Sequence, residues 1–241
     1  MTEREKLEYE IVQNKLKIDS IMQPQDGAVI MPHRALPYMR TLYELMSKYR
    51  GQYDTDNETD CMIYTFLADS FTYIPYLPLA VDCYTLALEC AIHSDDELVA
   101  GEIPELVYKI AKYRNMIARD RFYTQNSKLA VHSRKSETVY DLCDDINTGD
   151  KLKKDEVRAI VKSAADTAGR ALTACASEHS SEYLNCLYDM NETVLNSFDK
   201  KEREAESFCY AFWAAKKMYL KSRGIDWESP ASLNPNVKFK P

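Results

Sequence analysis

The chain of 241 residues carries a net charge of −7, 45% hydrophobic residues, six glycines and seventeen tyrosines. Its length suffices for one large core or two small ones, and so few glycines argue against Gly-rich phosphate loops, doubly wound sheets and β-sandwiches. The acidic balance argues against non-specific nucleic-acid binding, which needs clustered Lys and Arg to neutralise phosphates. No apolar run reaches the roughly 18–20 residues of a membrane span.

Apolar residues recur at helical spacing through nearly the whole chain. Thr2 and Glu5 have the spacing of a capping box before a first helix that runs to about residue 22. Leu7, Ile11, Ile18 and Ile21 form its stripe, and Gln23-Pro24-Gln25-Asp26-Gly27 stops it. Pro37 suits the first turn of a second helix carrying Leu42, Leu45, Met46 and Tyr49. Gly51 is expected to close that helix in a left-handed cap. Two short helices follow at about 59–74 and 78–93, with Pro75 and Pro78 framing the turn.

A long helix begins near Pro104, with Ile103, Leu106, Ile110, Ile117 and Phe122 on one stripe. Its pattern reaches toward Val131, with a break expected near residues 124–127. A short helix is expected from Glu137 to about Ile146. From Lys153 onward Val157, Ile160, Val161, Ala164, Ala165, Ala168, Ala171, Leu172 and Cys175 follow spacings of three and four. The alanines and Gly169 suggest a close helix approach. Two further helices are expected at about 181–197 and 200–222, the latter capped by Asp199 with Glu202 and ended by Arg223-Gly224. The pattern predicts an all-α fold of about nine helices.

Residues 61–94, CMIYTFLADSFTYIPYLPLAVDCYTLALECAIHS, carry Tyr64, Leu67, Ala68 and Phe71 on one helix and Ala80, Tyr84 and Ala87 on the next. This segment resembles one tetratricopeptide repeat, with Ala68 where glycine is usual and Ile92 where a proline often closes the repeat. The resemblance implies stacked antiparallel helical hairpins in an α-α superhelix. It also implies a concave surface lined by the first helix, here Met62, Thr65, Asp69, Thr72 and Tyr73. That face either meets a partner or is covered by neighbouring helices. Residues 181–219 resemble a degenerate second unit, with Tyr183, Leu187 and Met190 opposite Ala205, Cys209 and Phe212, although the spacing between its helices is about six residues longer than a standard repeat. The organisation expected is an N-terminal helix and linker at 1–30, a helical-repeat-like domain at 31–223, and an irregular tail at 224–241.

Candidate chemistry is sparse. Seven cysteines form no Cys-x-x-Cys pair, and most sit in apolar stripes, as reduced hydrophobes of a cytoplasmic protein would. The charged N-terminal stretch has no signal-peptide core. His93 precedes Ser94, Asp95, Asp96 and Glu97, which reads as a solvated acidic loop. His179 has no second histidine at helical ligand spacing. Asp141, Asp144 and Asp145, with Glu102 and Glu105, could converge on Mg²⁺ as in an all-α nucleotide or phosphate hydrolase, with Lys151, Lys153 and Lys154 nearby. Lys109, Lys112, Arg114, Arg119 and Arg121 give the long helix a basic character that reads as solvent-facing charge.

The reading favoured by these residues is a helical-repeat module without catalytic activity or cofactor, which binds a protein or peptide. The carboxylate-cluster hydrolase is its rival. Self-association through the first helix is a third reading, and the tail residues Trp227 and Phe239 are bulky enough to fold back on the domain.

Overall fold

A computed structural model describes residues 1–23, 30–53, 56–125 and 146–239. Among the described residues there are eleven α-helices and no strand: α1 (Glu3–Met22), α2 (Leu36–Gln52), α3 (Asn57–Tyr73), α4 (Leu77–His93), α5 (Glu97–Gly101), α6 (Ile103–Gln125), α7 (Lys154–Arg170), α8 (Ser181–Asn196), α9 (Lys200–Arg203), α10 (Phe208–Ser222) and α11 (Pro230–Leu233). Short 3₁₀ turns lie at Pro32–Ala35 and Ala176–His179. The all-α expectation holds, and no described helix is long and apolar enough to cross a membrane.

The chain divides into two compact units. The described residues of Met1–Tyr113 and Leu142–Ala164 form the first, and those of Arg114–Asp141 and Ala165–Pro241 the second. The expected helix at 137–146 falls almost wholly outside the described residues, and Ile146 is not helical.

Local chemistry sets the helix starts. Thr2 accepts from the Glu5 amide at 3.2 Å while Glu5 accepts from the Thr2 amide at 2.7 Å, a complete capping box. Asp199 and Glu202 form a second one before α9. Asp56 caps α3, Asp96 caps α5 and Ser180 caps α8. Each such cap stabilises its helix by about 1 kcal/mol. The residues expected as an acidic loop at 94–97 thus include the cap and first turn of α5.

Three expectations need correction. Gly51 lies inside α2, which continues to Gln52 and ends at Tyr53 in extended conformation. The helix expected at 200–222 is broken between Arg203 and Phe208, leaving Ala205 outside both pieces. Phe198 and Phe208 pack edge-to-face across that break, 5.4 Å between centroids. Phe198 lies between α8 and α9, so this contact joins the loop after α8 to the first turn of α10. Gly169 does not mediate a close approach, because a Cβ placed there meets nothing within 4 Å. Ala164, Ala165 and Ala168 supply the buried side of α7.

In the first unit α1 packs along α2 and α3 along α4, while α2 touches α3 more sparingly. Leu7, Ile11 and Ile18 of α1 bury with Met39, Leu42 and Met46 of α2. The α6 stripe of Ile103, Leu106, Val107, Ile110 and Ala111 is buried as well. In the second unit α8 packs on α10 and on the 3₁₀ turn before it. Its core holds Tyr183, Leu184, Leu187, Met190, Leu220 and the tail residue Trp227.

Candidate functional site

The α3–α4 hairpin buries the residues that carry the repeat-like pattern. Tyr64, Leu67, Ala68 and Phe71 are at most 1% exposed, and Ala80, Tyr84 and Ala87 are fully enclosed. Small side chains at 68, 80 and 87 let the two backbones approach. At about 100° per residue, Met62, Phe66, Asp69 and Tyr73 fall on one line of α3, opposite the Tyr64–Phe71 stripe. Met62 is 59% exposed and Tyr73 67% exposed.

The five residues singled out from the sequence do not all remain available on that line. Thr72 donates its hydroxyl to the Asp69 carbonyl at 2.6 Å. Thr65 is half-buried, and its hydroxyl meets the Cys61 thiol. Asp69 is half-exposed and doubly engaged: its Oδ1 accepts from the Tyr84 hydroxyl and from Lys109 Nζ, the latter at 3.0 Å. Lys109 also sits 5.1 Å from the Tyr84 ring centroid, and Tyr84 stacks on Tyr113 at 5.9 Å. Lys112 lies 5.0 Å from the Tyr113 ring. Burial, then the bond to Asp69, pushes the Tyr84 hydroxyl well above its ordinary range.

Three contributors were missed in the sequence. Phe66 lies between Met62 and Asp69 on the outward line, and the angular arithmetic alone identifies it. Lys15 of α1 reaches 4.5 Å from the Phe66 ring and pairs with Asp19 at 2.9 Å. Lys109 closes on Asp69 from α6. Both lysines come from distant positions, so no local pattern announces them. The outward face of α3 is therefore apolar at its two ends, with lysine–carboxylate pairs along its middle.

The second unit contains a buried polar network. Glu178 Oε1 accepts from Lys216 Nζ at 2.8 Å and from Trp227 Nε1 at 2.6 Å. The Lys216 ammonium also lies 4.3 Å from the Trp227 ring and 5.1 Å from the Tyr183 ring. Asp120 is fully buried, 2.8 Å from Arg119 and 3.1 Å from His179 Nε2. His179 Nδ1 is buried and finds no hydrogen-bond partner among the described residues. Arg119 donates to the carbonyls of Ala168, Ala171 and Leu172, the last two at 2.9 and 2.8 Å, and so satisfies the C-terminal end of α7. It is thus not the solvent-facing charge expected from the sequence. Nearby, a surface pocket of about 320 Å³ is lined by Lys217, Lys221 and residues 224–227. Lys217 is held there by Glu228 at 3.2 Å.

Asp141, Asp144 and Asp145 lie outside the described residues, while Glu102 and Glu105 are exposed around the start of α6. Among the described residues no three His, Cys, Asp or Glu side chains are grouped to hold a metal ion. Compared with family models, curated proteins and solved structures, the chain finds no match.

Proposed function

We propose that the outward face of α3 binds a protein or peptide partner, and that the chain acts by recognition. The observation that supports this reading most is the placement of Met62 and Tyr73. Both are large, exposed and one above the other on the helix, about 16 Å apart at 1.5 Å per residue. Exposed aromatic and methionine side chains are enriched where proteins meet, and a tyrosine offers contact area at low entropy cost.

Phe66 and Asp69 lie between these ends, each under a lysine. A partner helix with apolar residues toward both ends and a carboxylate between them matches this order. Such a carboxylate meets Lys15 and Lys109, whose charges are only partly neutralised by Asp19 and Asp69 in solvent. The stacked hairpins α1–α2 and α3–α4 fit the tetratricopeptide-like superhelix that the 61–94 segment resembles. We place the protein in the cytoplasm, a setting consistent with the free thiols of Cys61, Cys83, Cys90, Cys175, Cys186 and Cys209.

The test uses a Met62→Ser, Tyr73→Ser double variant. Neither side chain supports the core, so helicity by circular dichroism is expected to remain unchanged. Partners captured from native lysate by the unchanged chain are expected to disappear with this variant. Equal capture by both proteins would refute the assignment to this face.

A further inference from the structure

The helix α10, FCYAFWAAKKMYLKS, is the most aromatic of the second unit, yet only Lys216 and Leu220 on it are buried. Tyr210 is 46% exposed and Met218 75% exposed, with Phe208, Phe212 and Trp213 half-buried. Tyr210 and Trp213, one turn apart, meet edge-to-face at 5.4 Å and 79°. The chain's own tail fills the notch they form. Phe239 packs edge-to-face on Trp213 at 5.3 Å and 88°, and the Tyr210 hydroxyl donates to the Phe239 carbonyl at 3.2 Å.

The tail is firmly held only up to Asn234. That side chain clasps Thr173 like a paired backbone, accepting from its amide at 3.0 Å and donating to its carbonyl at 2.9 Å. Asn234 is 4% exposed. Beyond it, Val237 donates its amide to the Asn234 carbonyl and is 38% exposed. The next anchor is Phe239 in the notch.

We propose that the Tyr210–Trp213 notch is a recognition site for an extended, basic-aromatic segment of a partner protein, and that residues 237–239 occupy it in cis. The tail acts as a stand-in ligand. It shows that the notch reads an aromatic ring and a main-chain carbonyl of the same residue, as peptide-binding surfaces do. The character of the partner follows from the tail that it replaces. Lys238 stands beside Phe239 in the tail, the ring that the notch holds, while the exposed stretch before α10 balances Glu202, Glu204 and Glu206 with Lys200, Lys201 and Arg203. One ring contact and one neutral hydrogen bond are each weak, so the tail is displaceable. A short tether holds it at an effective concentration of millimolar order, which excludes weak competitors and admits only a partner that binds more tightly.

The test uses a synthetic peptide of residues 234–241, NPNVKFKP, followed by tryptophan fluorescence. Phe239→Ala in the full chain opens the notch, and a chain stopped after residue 236 gives a second opening should that variant lose helicity. The opened proteins are expected to bind the peptide at least about tenfold more tightly than the unchanged chain, because the tethered competitor is gone. Replacing the peptide's phenylalanine with alanine is expected to abolish binding. No binding by a helical, opened protein would overturn the proposal, as would equal binding by opened and unchanged chains. A concentration-dependent dimer of the unchanged chain that Phe239→Ala dissolves would also overturn it, because the occupant would then be a second copy.

Discussion

Asp69 on α3 and Lys109 on α6 meet at 3.0 Å, and the buried Tyr84 hydroxyl closes on the same carboxylate oxygen. The aspartate that faces outward on the candidate surface is thus also the acceptor for a group inside the hairpin. The two duties separate by substitution. Asp69→Asn keeps an acceptor for Tyr84 and loses a half-exposed ion pair, so urea denaturation should register at most about 1 kcal/mol. Asp69→Leu leaves the Tyr84 hydroxyl without that acceptor and should cost about 1–3 kcal/mol.

Glu178 and Lys216 form the least exposed lysine–carboxylate pair described, with side chains 12% and 11% exposed. Removing one member leaves a charge among Tyr183, Trp227 and apolar neighbours. Glu178→Ala and Lys216→Met are each expected to destabilise by about 3–5 kcal/mol. The double variant Glu178→Ala, Lys216→Met should cost less than the sum of the singles, with a coupling that a double-mutant cycle reads directly. Additive losses would show that the pair is not an energetic unit.

Alkaline pH should unfold the protein through its enclosed tyrosines. Burial pushes the Tyr64 hydroxyl up to about 12, and burial raises Tyr84 and Tyr183 as well. An unfolded tyrosine ionises near about 10. Below that pH both states keep their protons and these groups leave stability unchanged. As pH rises from about 10 toward 12 the unfolded chain releases protons that the folded chain retains, so stability falls. Far-ultraviolet circular dichroism and tyrosinate absorbance followed together should show loss of helix coinciding with the late-ionising tyrosines.

Two glycines should respond in opposite directions. Gly149 has φ +58°, and a Cβ there would stand 3.1 Å from Ile92 Cγ2. Gly149→Ala is expected to destabilise by about 1–2 kcal/mol from the left-handed backbone alone. Gly169 is helical and unobstructed, so Gly169→Ala should stabilise by up to about 1 kcal/mol. Thermal melts of the two variants check both signs.

The helix starts at Glu3 and Lys200 and the α3–α4 packing stripe were legible because both are local. Caps at Thr2 and Asp199, prolines in first turns and the spacing of Tyr64, Leu67 and Phe71 act within a few residues. The side chains that shape the sites were not. Lys109 lies 40 residues from Asp69, His179 lies 59 from Asp120, and Trp227 lies 49 from Glu178. A charged residue such as Lys216 sits on an apolar helix with no local sign that its ammonium is enclosed. The break before α10 escaped as well, since residues 204–207 contain no proline or glycine to announce it.

The most direct measurement is photo-crosslinking from the outward face of α3. A photoreactive phenylalanine analogue placed at Tyr73 is compared in native lysate with the same analogue at Leu98, which is 84% exposed on α5. The account predicts a discrete adduct from position 73 that excess unchanged chain competes away, and none from position 98. No adduct from position 73, or the same adducts from both positions, would contradict it.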